Sequence, residues 1–311
     1  MRRPWICNLV IRGGMCDDRP VFRHSLKLTH LASALFITLT VVGMQAVEFG
    51  DRPQTPLERV RQGGVLNVGY ALEPPFAFID EDGRVTGEAP EVFRVAVKAL
   101  GGAEPRWVYA DFGTLIHELE AGRVDVIAAG LFITPERRRR VLFSRPTAWV
   151  CPALLVAAGN PGGIVDHAAL AAGGHRLGVI AGAAEAADAQ AAGIAADHVF
   201  AFPDLPGALT ALRAGEVDAF ALSAVSLRHL VVTGRADGLE LVTLRPQRGS
   251  RGLAPGQPAF AFRVADAALR DAIDGALEAY LGSAGHAALV GRFGFGAAEL
   301  ARVDDAPECG R

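Results

Sequence analysis

The chain lacks the short motifs that mark most catalytic and nucleotide-binding sites. It has no G-x-S-x-G nucleophile turn and no G-x-G-x-x-G loop after a strand. A Walker lysine is absent as well, because Lys27 and Lys98 are the only lysines and neither follows a glycine. The 8 histidines show no metal-ligand spacing with one another or with cysteine. We therefore expect no catalysis, no metal and no other cofactor.

Charged residues are scarce too, at 21% of the 311 residues, and the formal net charge is −3. A broad basic surface for nucleic acid is therefore excluded. The arginine run Arg137–Arg140 is not such a surface, because consecutive residues of a helix point around its circumference. The preceding Thr134-Pro135-Glu136 predicts a helix start that places Arg137 in the first turn, near the end of its lobe that faces the other lobe. With 50% hydrophobic residues, the chain can bury two medium-sized cores. The partners that we expect are small molecules and proteins.

One apolar run, LASALFITLTVVGM at 31–44, follows several basic residues near the N-terminus. This order is typical of a secretory signal peptide, and the run is shorter than the roughly 20 residues of a spanning helix. We predict a signal peptide over 1–46, cleaved after Ala46, and export to the periplasm or another extracytoplasmic compartment. An uncleaved anchor and translation from Met15 are the alternatives.

The 4 cysteines fall into two groups. Cys7 and Cys16 leave with the predicted leader, whereas Cys151 lies in an apolar strand-like run and Cys309 in a polar tail. This placement favours a buried thiol and a tail thiol. A disulfide between Cys151 and Cys309 is the alternative.

From Val65 onward, short β-branched runs alternate with amphipathic ones, which predicts an α/β fold with mostly parallel sheets. The alternation occurs twice, and LEAGRVDVIAAG at 119–130 is echoed by LRAGEVDAFALS at 212–223. Two similarly built lobes are therefore expected. The predicted strands are 65–70, 105–110, 124–130, 176–180, 198–202 and 217–222. The predicted helices are 88–100, 112–121, 183–192, 204–214, 223–232, 266–281 and 283–292.

Two apolar strands, 148–158 and 257–264, flank the second set of elements. Their position predicts that the chain crosses twice between the lobes and forms a two-strand hinge. Such a hinge leaves a cleft, where small-molecule sites are common and where closure around a ligand is the natural motion. The predicted boundaries are 52–150 plus 258–300 for lobe 1, 151–257 for lobe 2 and 301–311 for the C-terminal tail.

Three segments, at 87–100, 111–147 and 259–281, carry a resemblance to a known family. They read GEAPEVFRVAVKAL, DFGTLIHELEAGRVDVIAAGLFITPERRRRVLFSRPT and AFAFRVADAALRDAIDGALEAYL. They resemble the extracellular solute-binding proteins, family 3, that serve polar amino-acid-type ABC importers, and within it the ectoine- and hydroxyectoine-binding proteins. The resemblance implies a type II-like periplasmic-binding-protein fold and a monomeric receptor that delivers a small zwitterion to a permease.

The resemblance also implies a set of ligand-binding residues. Arg137 of the TPER element matches the arginine that binds a ligand carboxylate, and Glu73 matches the acid that pairs with the amidinium of ectoine. Phe76, Phe112 and Phe132 match an aromatic box around the ligand. The structural alternatives are an ion pair of the arginine with a neighbouring acid, a solvent-exposed glutamate and phenylalanines that belong to the lobe core.

The second lobe departs from the family pattern at two places. Where many relatives have Gly-Thr or Gly-Ser, this chain has Gly182-Ala183, so only backbone N–H groups near Ala183 remain to bind a carboxylate. Where amino-acid binders place an aspartate, the chain has Ser223. Two alternatives stay open: a polar amino-acid receptor, and a periplasmic enzyme like cyclohexadienyl dehydratase with Glu73 as acid or base. The second is disfavoured because no second titratable cleft residue is evident.

Overall fold

The computed structural model describes residues 54–244, 255–300 and 309, and contains two five-stranded sheets flanked by helices. We call the parts built on these sheets the first and second lobes. The predicted α/β, two-lobed fold is thereby confirmed. The predicted leader and most of the predicted tail lie outside the described residues. Within the described ranges, no helix has both the length and the apolar character needed to cross a membrane.

The elements of the first lobe follow the predicted order closely. Up to the first crossing they are α1 (Pro56–Arg61), β1 (Asn67–Tyr70), β2 (Phe78–Ile79), β3 (Val85–Thr86), α2 (Glu88–Ala99), β4 (Arg106–Tyr109), a 3-10 turn (Phe112–Thr114), α3 (Leu115–Glu120), β5 (Val126–Ile127), α4 (Pro135–Arg138) and β6 (Leu142–Phe143).

The second lobe and the return to the first complete the chain. These elements are β7 (Pro152–Ala157), α5 (His167–Ala172), β8 (Leu177–Ile180), α6 (Glu185–Ala191), a 3-10 turn (Ala196–His198), β9 (Val199–Phe202), α7 (Leu205–Arg213), β10 (Ala219–Ser223), α8 (Ala224–Val232), β11 (Leu239–Thr243), β12 (Ala261–Phe262), a 3-10 turn (Val264–Asp266), α9 (Ala267–Tyr280) and α10 (Ala284–Gly291). Helices α9 and α10 pack against α2.

The two sheets share one topology. The first has the order β4-β1-β5-β12-β6, and the second has the order β11-β7-β10-β8-β9. In each, the earliest parallel strand lies between the other two: β1 between β4 and β5, and β8 between β9 and β10. Strands β12 and β7, which run antiparallel to these, belong to the two crossings.

The sequence echo between 119–130 and 212–223 has a structural counterpart. Asp125 accepts a hydrogen bond from the backbone N–H of Asn67 at 3.0 Å, and Asp218 accepts one from the N–H of Arg176 at 2.7 Å. In the first lobe, the aspartate just before β5 is thus hydrogen-bonded to the first residue of β1. In the second lobe, the aspartate just before β10 is hydrogen-bonded to the residue that precedes β8. The short repeat marks the same local arrangement in both lobes.

The two crossings lie side by side. Val150 and Gly256 pair as an antiparallel bridge, with N–H···O distances of 2.9 and 2.7 Å. Phe132 and Pro258 form a second bridge on the first-lobe side. The strands that the sequence predicted as the hinge are thus hydrogen-bonded to each other. The exact lobe boundaries stay a prediction.

Cys151 and Cys309 form a disulfide across 158 residues of sequence. The interpretation as a buried thiol and a tail thiol was therefore wrong, and the alternative holds. Cys151 lies in the first crossing, next to Val150, so the bond ties Cys309 to the hinge. Arg228 of α8 donates to Glu299 at 2.6 Å, which adds an ion pair between the second lobe and the segment that follows α10.

Glu88 is an unusual residue of the first-lobe core. It is 1% exposed, and neither carboxylate oxygen has a hydrogen-bond partner within the described residues. Burial raises its pKa to about 7, and the Thr147 side chain opposes that rise only in part. The folded protein therefore holds this proton more tightly than the unfolded chain does. Its contribution to the free energy of unfolding falls as the pH rises from about 4.5 to about 7.

We expect Glu88→Gln to stabilise the protein at pH 8 by roughly 1–2 kcal/mol, because the amide has the shape of the carboxylate but carries no charge that must be buried. At pH 5 the variant and the wild type should have similar stability, since Glu88 is then protonated. Chemical denaturation at both pH values measures the difference. Glu216→Gln, at an exposed position, is the control. A stabilisation equal at pH 5 and pH 8 would contradict the ionisation of Glu88 as its cause.

Candidate functional site

A cavity of about 1130 Å³ lies between the two lobes. Its lining includes residues at or just after the carboxyl ends of β1, β4, β8, β9 and β10. This is the edge at which open parallel sheets bind their ligands. Glu73 and Phe112 are the sequence-predicted site residues among the lining, and Ile180 and Leu222 form part of the second-lobe wall.

Glu73 reaches the second lobe through two hydroxyl groups. Its turn is fixed by the backbone, since Glu73 N–H donates to Ala77 O at 2.9 Å. Its carboxylate accepts from Ser226 Oγ at 3.0 Å, and Ser226 Oγ accepts from Ser223 Oγ at 2.8 Å. Ser223 and Ser226 are both fully buried. Ser223, a predicted site residue, therefore lies one hydroxyl away from Glu73.

Arg137 also bridges the lobes. The Thr134 side chain accepts from the Arg137 N–H, and proline takes the first helical position of α4, so a helix begins where the sequence predicted. The arginine is 8% exposed. Its guanidinium donates to the Phe132 carbonyl at 2.6 Å and to the Gly182 carbonyl, in the second lobe, at 2.7 Å.

Phe112 stands beside this arginine. The centroid of its ring is 5.7 Å from the Arg137 guanidinium carbon, which is within the range of a cation–π contact. The ring is half-buried and packs against apolar clusters of both lobes. Phe112 is therefore a wall residue that touches both sides of the cleft.

Phe76 and Phe132 lie deeper. Phe76 is 1% exposed and packs edge-on against Phe132, with ring centroids 6.2 Å apart. Neither ring is part of the cavity lining. Two glycines make room for them: a Cβ on Gly130 would lie 2.5 Å from the Phe76 ring, and one on Gly256 would lie 2.4 Å from the Phe132 ring. The structure thus brings the two phenylalanines together within and beside the first-lobe core.

Contrary to what the sequence suggested, the turn before α6 does not leave the Ala183 N–H group available to a ligand carboxylate. The Ala183 N–H donates to Ile180 O at 3.0 Å, so this amide is already used by the turn. Glu185, two residues later, is 5% exposed. The Ala183 amide is therefore engaged by the chain itself.

Glu185 is also a second acid near Glu73 and Arg137. Nothing in the sequence indicated this second titratable partner of Glu73. Burial and the nearby Glu185 raise the pKa of Glu73 to about 8, while Ser226 and Arg137 oppose the rise. Burial raises the pKa of Glu185 to about 7, and the Asp188 charge adds to the rise. Burial lowers the pKa of Arg137, and the Glu185, Glu136 and Glu73 charges counter it.

This arrangement can bind both ends of a small zwitterion. Glu73 can pair with a cation, and the planar guanidinium of Arg137 suits a carboxylate. The guanidinium has five N–H donors, and two carbonyls use only part of them. Within the described residues, no group of three or more His, Cys, Asp or Glu side chains could hold a metal ion.

Comparison with known proteins gives a consistent family. The family model for bacterial extracellular solute-binding proteins, family 3, matches residues 66–295. The crystal structure of EhuB in complex with hydroxyectoine is similar to this chain with a TM-score of 0.70 and 34% sequence identity. That comparison covers 77% of this chain and 92% of EhuB.

Two curated relatives match over shorter stretches. The "Probable amino-acid ABC transporter periplasmic-binding protein y4tE" of Sinorhizobium fredii is 38% identical over 108 residues, which are 34% of this chain and 36% of the relative. The L-cystine-binding protein TcyJ of Escherichia coli is 31% identical over 144 residues, which are 45% of this chain and 53% of the relative. The chain thus spans between about a third and about half of the length of these two relatives.

Proposed function

Because the chain belongs to family 3 of the bacterial extracellular solute-binding proteins, we propose that it is the solute-binding receptor of an amino-acid-type ABC importer. The observation that carries this proposal is the pair Glu73 and Arg137. Glu73 lines the interlobe cavity, Arg137 lies beside the lining residue Phe112, and each of the two side chains is hydrogen-bonded to the opposite lobe. A ligand held by both would stabilise the closed arrangement of the lobes.

The ligand that this site favours is a small zwitterion of the ectoine or hydroxyectoine type. Ectoine carries a delocalised amidinium and a carboxylate on one ring, which suit Glu73 and Arg137 respectively. The similarity to EhuB, whose structure contains hydroxyectoine, supports this choice. Phe112 supplies a flat wall beside Arg137, and a cation near an aromatic face gains roughly 0.5–2 kcal/mol.

The other proposed ligand-binding residues are not part of the cavity lining, so their proposed roles are indirect. Phe132 already touches the Arg137 guanidinium through its carbonyl, and Phe76 supports the Phe132 ring from behind. Ser223 acts through Ser226. Ala183 would offer its amide only if the turn to Ile180 opened, so its role is the least supported of the set.

The permease and the compartment follow from the same proposal. A receptor of this kind works outside the cytoplasm as a monomer and hands its ligand to the importer's membrane subunits. The Cys151–Cys309 disulfide supports an exported protein, because disulfides persist mainly in oxidising compartments. The apolar run at 31–44 supports export by a signal peptide.

A second candidate function is a dehydratase of the cyclohexadienyl type, and one observation favours it. Glu185 gives Glu73 a neighbouring carboxyl group whose pKa, like that of Glu73, is raised towards neutrality. Paired groups of this kind can perform acid–base catalysis. An assay for dehydration of cyclohexadienyl substrates would test it, and turnover that disappears in Glu185→Gln would favour the enzyme.

Thermal unfolding with candidate ligands tests the receptor proposal. We expect ectoine or hydroxyectoine to raise the unfolding midpoint, because a ligand at about 100 times its Kd adds roughly 2.7 kcal/mol to the free energy of unfolding. Glycine betaine, proline and the 20 common amino acids should shift it less. A shift with one amino acid and none with either ectoine would replace the proposed ligand by that amino acid.

A further inference from the structure

The two lobes touch backbone to backbone at the 3-10 turn Phe112–Thr114. A Cβ placed on Gly113 would lie 3.0 Å from Ala181 O, 3.4 Å from the Ala181 carbonyl carbon and 3.8 Å from Gly182 N. These three nearest atoms all belong to the second lobe. In the other direction, a Cβ on Gly182 would lie 2.7 Å from Gly113 Cα. At Gly182 the approach is closer than any side chain allows, and at Gly113 a Cβ would require the second lobe to move by a few tenths of an ångström.

Gly113 differs from Gly182 in one respect. Gly182 has a φ of +76°, so a side chain there is strained whatever the space around it. Gly113 is not among the glycines with positive φ, so its own backbone accepts an L-residue. The approach of the second lobe is thus what constrains position 113. In a more open molecule the same side chain would meet no obstacle from Ala181 or Gly182.

The contacts around this point join the ligand site to lobe closure. Gly182 accepts from Arg137, and Phe112, next to Gly113, packs against apolar clusters of both lobes. The hydrogen bond from Ser226 to Glu73 closes the cleft at a second place. All of these contacts require the lobe separation that the Gly113–Gly182 approach permits.

We propose that Gly113 is a positioning residue that sets how closely the lobes approach each other over the binding site. A side chain at 113 would act as a wedge, lengthening the Arg137–Gly182 and Glu73–Ser226 contacts and leaving the closed cleft incompletely formed. The ligand-binding consequence rests on the proposed receptor function. The closure itself does not, because it follows from the contacts between the lobes alone.

The test is a graded series, Gly113→Ala and Gly113→Val, with Gly275→Ala and Gly275→Val as controls. Gly275 lies on an exposed helix position where an added Cβ meets nothing within 4 Å. Small-angle scattering of the ligand-free proteins should give a radius of gyration for Gly113→Ala close to that of the wild type and a larger one for Gly113→Val. The Gly275 variants should match the wild type. Equal radii for wild type and Gly113→Val would overturn the proposal.

Two further readouts separate positioning from ordinary packing. With ectoine as the probe, Gly113→Val should bind roughly fivefold to hundredfold more weakly, mainly through faster dissociation. The unfolding midpoint of the ligand-free variant should stay near that of the Gly275→Val control, since the open molecule accommodates the side chain. If the unfolding midpoint of Gly113→Val fell far below that of Gly275→Val, position 113 would be an ordinary core position, and the proposal would be overturned. If ectoine binds neither protein, the receptor assignment fails for that ligand, and the scattering series still decides the role of Gly113.

Discussion

Arg137→Met is expected to weaken ectoine binding roughly hundredfold, the largest effect of any substitution in the cleft. In the proposed complex the buried Arg137 guanidinium pairs with the ligand carboxylate, and hydrogen bonds to charged groups contribute about 1.5–3 kcal/mol. The substitution leaves the carboxylate desolvated without a partner. It also removes the contacts to Phe132 O and Gly182 O, so lobe closure weakens with it. Calorimetric titration measures the change.

Arg140→Met is the matched control for this prediction. Arg140 lies on the same turn, is exposed and pairs with Glu120 at 2.7 Å, so its loss removes one surface ion pair. Such pairs contribute about 0–1 kcal/mol to stability, and ectoine affinity should be unchanged. Equal weakening by the two substitutions would mean that the net charge of the turn, rather than the Arg137 guanidinium, governs binding.

Glu73→Gln is expected to weaken ectoine binding roughly tenfold to hundredfold at pH 8.5 and only slightly at pH 6. In the ligand-free protein, burial and Glu185 hold the pKa of Glu73 at about 8, so the carboxyl is mostly protonated at pH 6. A cationic ligand favours the ionised form, and wild-type affinity should therefore rise as the pH increases from 6 towards 8. Glutamine cannot ionise, so the variant should lose this dependence.

Glu81→Gln serves as the control for Glu73, because Glu81 lines the same cavity but is exposed. It should change neither the affinity nor its pH dependence appreciably. Titrations at several pH values in buffers of different ionisation enthalpy would also detect the proton that Glu73 releases on binding. A wild-type affinity that is independent of pH, together with unchanged binding by Glu73→Gln, would reject the pairing of Glu73 with the ligand cation.

Local signals in the sequence were enough for most of the fold. Thr134 followed by a proline predicted a helix start that places Arg137 at the cleft, and the structure has that cap. The echo at 119–130 and 212–223 predicted lobes of the same design, and both sheets share one strand order. The two-residue strands β2 and β3 went unrecognised, because so short a pair shows no period. Helices α1 and α5 and strands β6 and β11 were not predicted either.

Contacts between distant parts of the chain could not be predicted in this way. Ser226 is 153 residues from Glu73, and Glu185 follows an ordinary helix start, so neither had a local mark of a cleft residue. Their meeting depends on how the lobes pack. The partner of Cys151 is equally remote, at 158 residues, and composition alone favoured separate thiols. Phe76 matched a family position, but only the structure gives its burial against Phe132 and Phe295.

Calorimetric titration of ectoine and hydroxyectoine into the wild-type protein at pH 8 tests the receptor proposal most directly. We expect saturable binding of one ligand per chain, and loss of most of that binding in Arg137→Met under the same conditions. Arginine and other polar amino acids, titrated in parallel, should bind more weakly. Tighter binding of an amino acid than of either ectoine, or ectoine binding that survives Arg137→Met unchanged, would contradict the proposed recognition of a small zwitterion between Glu73 and Arg137.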